Sequence, residues 1–118
     1  MPMSPSSSIL IVDDDPSVLE ALDLALGNRH SSYACATAEE ALELLEKRLF
    51  SAVLCDLGLP GMGGEQLLGI IKTQWPTTEV VMITAGRDVA EAVRCMRLGA
   101  YDYIAKPWSV EDLRDRKS

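Results

Sequence analysis

The sequence contains five short apolar runs, each followed by polar or turn-forming residues and, after that, by a helical pattern. Three runs are continuous, at 9–12, 52–55 and 80–83, and weaker ones lie at 32–35 and 101–105. A continuous apolar run of this length is typical of a strand that is buried on both faces. Because parallel strands need crossover connections, usually helices, the pattern predicts an α/β domain with an open parallel sheet.

Apolar residues at helical spacing separate the predicted strands. Asp15 suits the N-cap of helix one, and Thr37 and Glu40 form a capping box for helix two. Helix three is expected at about 65–74. The residues expected to share the buried face of helix two are Ala38, Ala41, Leu42, Leu45 and Leu49. The apolar residues that mark helix four are Val89, Ala92, Val93 and Met96. We expect Met96 to fill the core.

These elements predict a flavodoxin-like, doubly wound sheet with strand order 2-1-3-4-5 and five helices. We expect residues 1–7 to be a flexible N-terminal segment and residues 8–118 to be a single domain, because 118 residues are too few for two ordinary domains. Ser109 suits the N-cap of helix five, but the apolar positions of that helix stop at Leu113. We therefore expect the last helix to be truncated.

Charge and composition argue against several classes of function. The chain has 18 acidic and 11 basic residues, a net charge of -7. This negative charge does not favour binding to nucleic acid or to an anionic membrane. No apolar run approaches the roughly 18 residues of a membrane span, and no signal peptide is recognisable. We therefore expect a cytoplasmic domain. Three scattered cysteines and a single histidine, His30, indicate neither a disulfide framework nor a zinc site.

Five polar residues stand at the ends of predicted strands: Asp13, Asp14, Asp56, Thr84 and Lys106. The carboxyl ends of parallel strands share one edge of the sheet, so we expect these residues to converge there. Three converging carboxylates repel one another unless a cation is present, and Mg²⁺ or Mn²⁺ suits oxygen ligands. Asp56 is then a candidate nucleophile, with Thr84 and Lys106 as donors to a phosphoryl group. Taken singly, Asp13 and Asp14 fit a capped strand exit as well as a metal site.

Four segments of the sequence carry a family resemblance. They are Ile11-Val12-Asp13-Asp14, the loop from Asp56 to Gly64 with Pro60 within it, Ile83-Thr84-Ala85, and Tyr103-Ile104-Ala105-Lys106-Pro107. With these segments the chain resembles the receiver domains of two-component response regulators, from the first predicted strand to the fifth. The resemblance implies that Asp56 is phosphorylated. It also implies that Asp13 and Asp14 bind the metal ion together with Asp56 and the backbone carbonyl of Gly58.

The resemblance further implies a phosphate site and a switch. Thr84 and Lys106 would hold the phosphoryl group, and a cis peptide bond before Pro107 would aim the lysine. On phosphorylation, Thr84 would move inward and Tyr103 would follow, remodelling the face formed by helix four, strand five and helix five. Tyr103 lies two residues after Tyr101 on the same predicted strand. Packing in the core, without a switching role, is therefore the alternative for Tyr103.

The implied function is that of a signalling phosphoacceptor rather than a turnover enzyme acting on an external substrate. The domain would take its phosphoryl group from a sensor histidine kinase or a phosphotransfer protein, and a phosphatase is a further expected partner. It would control a partner or a C-terminal effector domain, and phosphorylation could bring two copies together as a dimer. No direct nucleic acid or membrane binding is expected of this domain.

Three other functions fit the sequence less well. A haloacid-dehalogenase-like magnesium phosphatase would need its nucleophile on strand one and a cap insertion, and Asp56 would then have no role. A flavodoxin-like carrier of flavin mononucleotide would need hydroxyls and backbone donors where this chain has aspartates. A receiver-like docking domain without phosphorylation would not need the complete set of strand-end residues.

Glycine stands two residues after Asp56 and two residues after Thr84, at Gly58 and Gly86. In the family that the chain resembles, the side chains at these positions flank the phosphoryl group and influence its hydrolysis. Glycine at both positions therefore predicts an open pocket that water or a phosphatase can reach.

Overall fold

The computed structural model describes residues 7–27, 30–85 and 88–105, and strands and helices alternate through these ranges. The elements are β1 (Ser7–Val12), α1 (Pro16–Leu26), β2 (His30–Cys35), α2 (Ala38–Lys47), β3 (Ala52–Asp56), α3 (Gly64–Gln74), β4 (Glu79–Thr84), α4 (Val89–Arg97) and β5 (Asp102–Ala105). The first strand begins at Ser7, one residue before the predicted domain boundary. The predicted helix five lies outside the described residues. None of the helices within those three ranges has both the length and the apolar character to cross a membrane.

All five strands are parallel and lie in the order β2-β1-β3-β4-β5, as predicted. The central strand β1 pairs on both sides, so that Val12 lies opposite Cys35 on one neighbour and Cys55 on the other. The chain reverses its direction of winding between β1 and β3. The carboxyl ends of these two strands therefore border the crevice where ligands bind in sheets of this kind.

Alternate residues of each strand point to opposite faces, and each face has its own layer of helices. On one face, Leu10 and Met82 pack with residues of α2, α3 and α4 in the larger cluster of the core. On the other face, Ile11 and Ile83 pack with Leu22 of α1. The continuous apolar runs of the central strands follow directly from this burial on both sides.

Side-chain caps begin two of the helices where the sequence predicts them. The carboxylate of Asp15 accepts a hydrogen bond from the backbone N–H of Ser17 at 2.9 Å, at the start of α1. The hydroxyl of Thr37 accepts from the backbone N–H of Glu40 at 3.1 Å, at the start of α2. Each cap satisfies a helix N–H that has no partner within the helix.

Two sequence-based predictions about apolar residues are wrong. Leu49 does not share the buried face of α2, because that helix ends at Lys47 and Leu49 is 85% exposed. Met96 does not fill the core, because it is 48% exposed and the buried residue of α4 is its neighbour Cys95. The helix is turned so that Cys95 packs inward, which leaves Val89 exposed as well.

Burial predicts unequal effects for two leucine truncations that are chemically identical. Leu68 of α3 is fully buried in the larger cluster, whereas Leu49 is exposed. We expect Leu68→Ala to lower the free energy of unfolding by about 2 to 5 kcal/mol, because it removes buried methyl groups and leaves a cavity. Leu49→Ala should change it by less than about 0.5 kcal/mol. Urea unfolding of the two variants measures the difference, and equal losses would contradict this description of the core.

Candidate functional site

The ends of three strands bring polar residues together at the carboxyl edge of the sheet. Asp13 follows β1 directly, Asp56 is the last residue of β3, and Thr84 is the last residue of β4. All three are buried, with exposed fractions of 1%, 6% and 5% in that order. Asp14 is exposed beside them. The predicted convergence of these four residues is therefore present in the structure.

Three carboxylates lie close enough together to share one cation. Oxygen atoms of Asp13, Asp14 and Asp56 all lie within 4.8 Å of one another. Burial and mutual repulsion both disfavour three negative charges at this separation. A positive charge at the centre of the cluster would stabilise it. A set of ligands made only of oxygen atoms fits a hard divalent cation such as Mg²⁺, which also keeps part of its water shell. Asp14 lies on the side that faces the solvent.

Backbone hydrogen bonds orient the carboxylates. The N–H of Asp15 donates to Oδ1 of Asp13 at 2.9 Å, and the N–H of Gly58 donates to Oδ1 of Asp56 at 3.2 Å. Each of these hydrogen bonds restricts rotation of the carboxylate that accepts it. The strand exits are fixed too, since the N–H of Leu57 donates to the carbonyl of Ile83 at 2.8 Å.

The start of α3 lies directly against the backbone of Asp56. The N–H of Gly64 donates to the carbonyl of Leu57 at 3.2 Å. A Cβ atom at position 64 would lie 2.3 Å from the carbonyl oxygen of Asp56 and 2.8 Å from Cα of Leu57. Only glycine allows this approach without a shift of the backbone. The position of α3 and the position of Asp56 are thus coupled.

The cysteine next to Asp56 is not a competing nucleophile. Burial, and then the nearby charge of Asp56, raise the pKa of the Cys55 thiol far above its usual range. Burial and then Glu40 raise the pKa of Cys35 to about 12. Both groups therefore remain thiols at neutral pH, and the thiolate is the form that attacks or binds metals.

Tyr103 of β5 is hydrogen-bonded to helix α4. Its ring is half-buried and packs against the larger core cluster. Its hydroxyl donates to Oε1 of Glu91 at 3.1 Å. Burial raises the pKa of Tyr103, a side-chain hydrogen bond from Thr84 lowers it, and the hydrogen bond and charge of Glu91 raise it. Packing against the core is therefore present for this tyrosine, and its switching role stays a prediction.

Sequence reasoning missed Glu91. The apolar residues around it suggested a different inward face for α4, with Met96 rather than Cys95 in the core. A signal was nevertheless available, because Glu91 precedes Cys95 by four residues and the two therefore share a face of the helix.

Gly58 lies beside Asp56, and three other predicted residues are outside the described part of the chain. Gly58 is exposed, and a Cβ atom there would lie 3.9 Å from Oδ1 of Asp56, so a side chain at this position would stand beside the carboxylate. Lys106, Pro107 and Gly86 lie outside the described residues, so the lysine contact, the cis peptide bond and the second glycine remain predictions.

Comparisons with known proteins agree with this geometry. Residues 9–117 match the family model described as the response regulator receiver domain. The chain is 42% identical over 111 residues to the response regulator protein FleR of Pseudomonas aeruginosa, covering 93% of this chain and 24% of FleR. It is 36% identical over 107 residues to the DNA-binding transcriptional regulator NtrC of Escherichia coli K12, covering 88% of this chain and 22% of NtrC. The chain thus spans about a quarter of the length of these curated relatives.

Solved structures share the fold at similar levels of identity. A putative response regulator from Chloroflexus aurantiacus superposes with a TM-score of 0.81 at 36% identity, covering 95% of this chain and 94% of the other. The receiver domain of NtrX from Brucella abortus superposes with a TM-score of 0.80 at 33% identity, covering 92% and 93%. A structure titled BeF3 activated DrrB receiver domain gives a TM-score of 0.82 at 28% identity, covering 95% and 94%.

The close approach of α3 predicts opposite effects for two glycine substitutions in that helix. We expect Gly64→Ala to destabilise the domain by about 1 to 3 kcal/mol, because the added methyl group clashes with the backbone of Asp56. Gly69→Ala is the matched control, since nothing lies within 4 Å of its Cβ position. It should stabilise the helix by about 0.5 to 1 kcal/mol. Thermal or urea unfolding measures both, and a Gly64→Ala variant as stable as the wild type would contradict the contact.

Proposed function

Since the chain belongs to the response regulator receiver domain family, we propose that Asp56 is its phosphoacceptor and that a divalent metal ion held at Asp13 and Asp14 assists the transfer. Receiver domains are signalling domains, and this one is the receiver domain of a two-component response regulator. The observation that carries the proposal is the cluster of three carboxylates within 4.8 Å at the carboxyl edge of the sheet.

Asp13, Asp14 and Asp56 would hold Mg²⁺ or Mn²⁺, with the backbone carbonyl of Gly58 as a further ligand. The donor set supports this assignment, because it consists of oxygen atoms and its negative charge needs compensation. When bound, the ion supplies positive charge that offsets the charge of the incoming phosphoryl group. The half-open arrangement, with Asp13 buried and Asp14 exposed, leaves one side of the cluster for water and phosphate oxygens.

Asp56 is the group that we assign to attack. One of its carboxylate oxygens forms the new bond to phosphorus while the bond between phosphorus and the imidazole nitrogen of a phosphohistidine breaks, and that nitrogen keeps the electron pair. The N–H of Gly58 holds Oδ1 of Asp56 at 3.2 Å, which limits rotation of the carboxylate. The position of Asp56 at the end of β3, rather than of β1, separates this proposal from a haloacid-dehalogenase-like phosphatase.

Thr84 and Lys106 would hold the transferred group. Thr84 is buried at the end of the neighbouring strand, where its hydroxyl can donate to a phosphoryl oxygen. Lys106 would contribute a point charge, and a cis bond before Pro107 would aim it. Both assignments rest on the resemblance between this chain and other members of the family.

The output surface that we propose is the face formed by α4, β5 and the predicted helix five. Movement of Thr84 towards the phosphoryl group would shift Tyr103, which packs beside α4. Exposed apolar residues on α4, among them Val89 and Met96, support a role for this face in contacts. The same face would carry any dimer that forms on phosphorylation.

The partners that we propose are those implied by membership of the family. We propose that a sensor histidine kinase or a phosphotransfer protein in the cytoplasm donates the phosphoryl group and that a phosphatase can remove it. NtrC is described as a DNA-binding transcriptional regulator, and this chain matches only about a quarter of its length. We therefore propose that an effector domain follows this one in the full protein, and that any binding to nucleic acid belongs to that domain.

Intact mass spectrometry after incubation with Mg²⁺ and acetyl phosphate tests the phosphoacceptor. The wild type should gain one phosphoryl group, and Asp56→Asn should gain none. Removal of the metal with EDTA, or Asp13→Asn, should reduce the initial rate of phosphorylation by at least about tenfold, a change of roughly 1.4 kcal/mol in the barrier. Asp15→Asn is the matched control, because asparagine caps helices as well as aspartate does, and it should be phosphorylated normally.

Two outcomes would contradict the proposal. A mass gain that survives Asp56→Asn and vanishes in Asp13→Asn would move the nucleophile to β1. A wild type that gains no mass from acetyl phosphate or from a phosphorylated histidine kinase would leave a docking domain without phosphorylation.

Gly58 predicts a short lifetime for the phosphorylated form. We expect Gly58→Asn to slow hydrolysis of the aspartyl phosphate by at least about threefold, roughly 0.7 kcal/mol in the barrier, because the new side chain stands beside Asp56 and shields it from water. Gly63→Asn is the control, since nothing lies within 4 Å of its Cβ position. Loss of the bound phosphoryl group over time, followed by mass, gives the rates. Equal rates for both variants and the wild type would exclude this role for Gly58.

A further inference from the structure

The thiol of Cys55 lies between the end of β3 and the start of α3. Cys55 directly precedes Asp56 in β3, and its exposed fraction is 0%. Its Sγ atom lies 3.5 Å from the carbonyl oxygen of Asp56 and 4.0 Å from the carbonyl oxygen of Gly64, the first residue of α3. A thiol carries a single weak donor. The S–H group of Cys55 is therefore shared between the strand of the proposed nucleophile and the helix that follows it.

A hydrogen bond from α3 also holds the next peptide group of the chain. The N–H of Gly64 donates to the carbonyl oxygen of Leu57 at 3.2 Å. The same peptide group contains the N–H of Gly58, which donates to Oδ1 of Asp56 at 3.2 Å. A peptide group is planar and rigid, so the donor from α3 sets the direction of the N–H that holds the carboxylate. The start of α3 thereby orients the peptide group that restrains the proposed nucleophile.

The start of α3 differs from the starts of α1 and α2 in the way that it is fixed. Asp15 and Thr37 cap those two helices with their side chains. The N-cap residue of α3 is Gly63, and in the part of the chain that the structure describes no side chain caps this end. Hydrogen bonds from the thiol of Cys55 and from the N–H of Gly64 instead join the helix start to the strand end.

We propose that Cys55 is a positioning residue for the phosphorylation of Asp56, because its S–H group holds the backbone of Asp56 against the start of α3. The inference rests on the proposed function of Asp56 as the phosphoacceptor. Cys55 takes no part in the transfer itself, and it acts through the peptide groups that direct the carboxylate. In-line attack on phosphorus needs an accurately placed oxygen atom, so a loosened junction should lower the rate of transfer.

Packing in the core is the alternative role for this buried thiol, and two variants separate the roles. Threonine and valine have nearly the same shape and both suit a strand, but only threonine has a hydroxyl donor. In Cys55→Thr the hydroxyl replaces the S–H donor, whereas in Cys55→Val a methyl group takes its place. If Cys55 only fills space, the two variants should be phosphorylated at the same rate.

The first test measures the initial rate of phosphorylation by acetyl phosphate at saturating Mg²⁺. Counting only phosphate that hydroxylamine releases restricts the signal to acyl phosphate and excludes phosphothreonine. We expect Cys55→Val to react about threefold to tenfold more slowly than the wild type, in line with the net worth of one hydrogen bond. Cys55→Thr should react within about twofold of the wild-type rate.

Stability measurements keep the rate comparison specific. Urea unfolding should find Cys55→Val at least as stable as Cys55→Thr, because valine buries no hydroxyl group. A slower rate in a variant that is no less stable is not what a purely structural role would produce. Cys55→Ser and Cys55→Ala repeat the comparison with smaller side chains, and the serine variant should be the faster of the two.

Cys95 supplies the matched control. It is also fully buried, but it lies on α4 rather than beside the proposed nucleophile. Cys95→Thr and Cys95→Val should therefore be phosphorylated at equal rates. A difference between them as large as that between the Cys55 variants would assign the effect to any buried hydroxyl and would overturn the proposal.

Amide hydrogen exchange tests the junction without metal or phosphate. The N–H of Ser51, which donates to the carbonyl of Ser8 at 2.9 Å before β3 begins, serves as the internal reference. Relative to that reference, we expect the N–H of Gly64 to exchange at least about threefold faster in Cys55→Val than in Cys55→Thr. Equal exchange in the two variants would show that the donor does not hold the junction and would end the proposal.

The rate measurement also separates this proposal from the proposed function. If the wild type takes no phosphoryl group on Asp56, the proposed function fails. If the wild type is phosphorylated but Cys55→Val reacts as fast as Cys55→Thr, only the role of Cys55 fails.

Discussion

Mutual repulsion among Asp13, Asp14 and Asp56 is the constraint on which the carboxyl edge of the sheet depends. The parallel order of β1 and β3 forces these side chains together, and their oxygen atoms lie within 4.8 Å of one another. Burial of two of them prevents water from screening the repulsion fully. The backbone N–H groups of Asp15 and Gly58 offset part of this electrostatic repulsion, and a bound divalent cation would offset the rest.

The rest of the site follows from how closely the sheet and its helices pack around that cluster. Gly64 lets the start of α3 lie against the carbonyl of Asp56, so the position of that helix is coupled to the position of the strand end. On the next strand, Thr84 lies at the same edge, and Tyr103, its diagonal neighbour on β5, is hydrogen-bonded to Glu91 of α4. Tyr103 therefore ties the strand next to Thr84 to a helix with several exposed apolar residues.

Much of the fold could be predicted because it rests on local patterns. The continuous apolar run before Asp13 marks a strand buried on both faces, and Asp15 and Thr37 mark the helix starts through their capping bonds. The convergence of Asp13, Asp56 and Thr84 followed from strand order alone. The rotation of α4 could not be predicted in this way. Its apolar residues form more than one candidate face, and the choice of Cys95 over Met96 depends on packing against the core and on polar partners in α3 and β5.

The central claim is that the phosphoryl group enters on Asp56. Borohydride reduction of the protein after treatment with acetyl phosphate and Mg²⁺ tests it most directly, because the reagent converts an aspartyl phosphate to homoserine at the modified position only. Peptide sequencing should then find homoserine at position 56, with Asp13 and Asp14 intact. Homoserine at position 13 or 14, with Asp56 unchanged, would contradict the account.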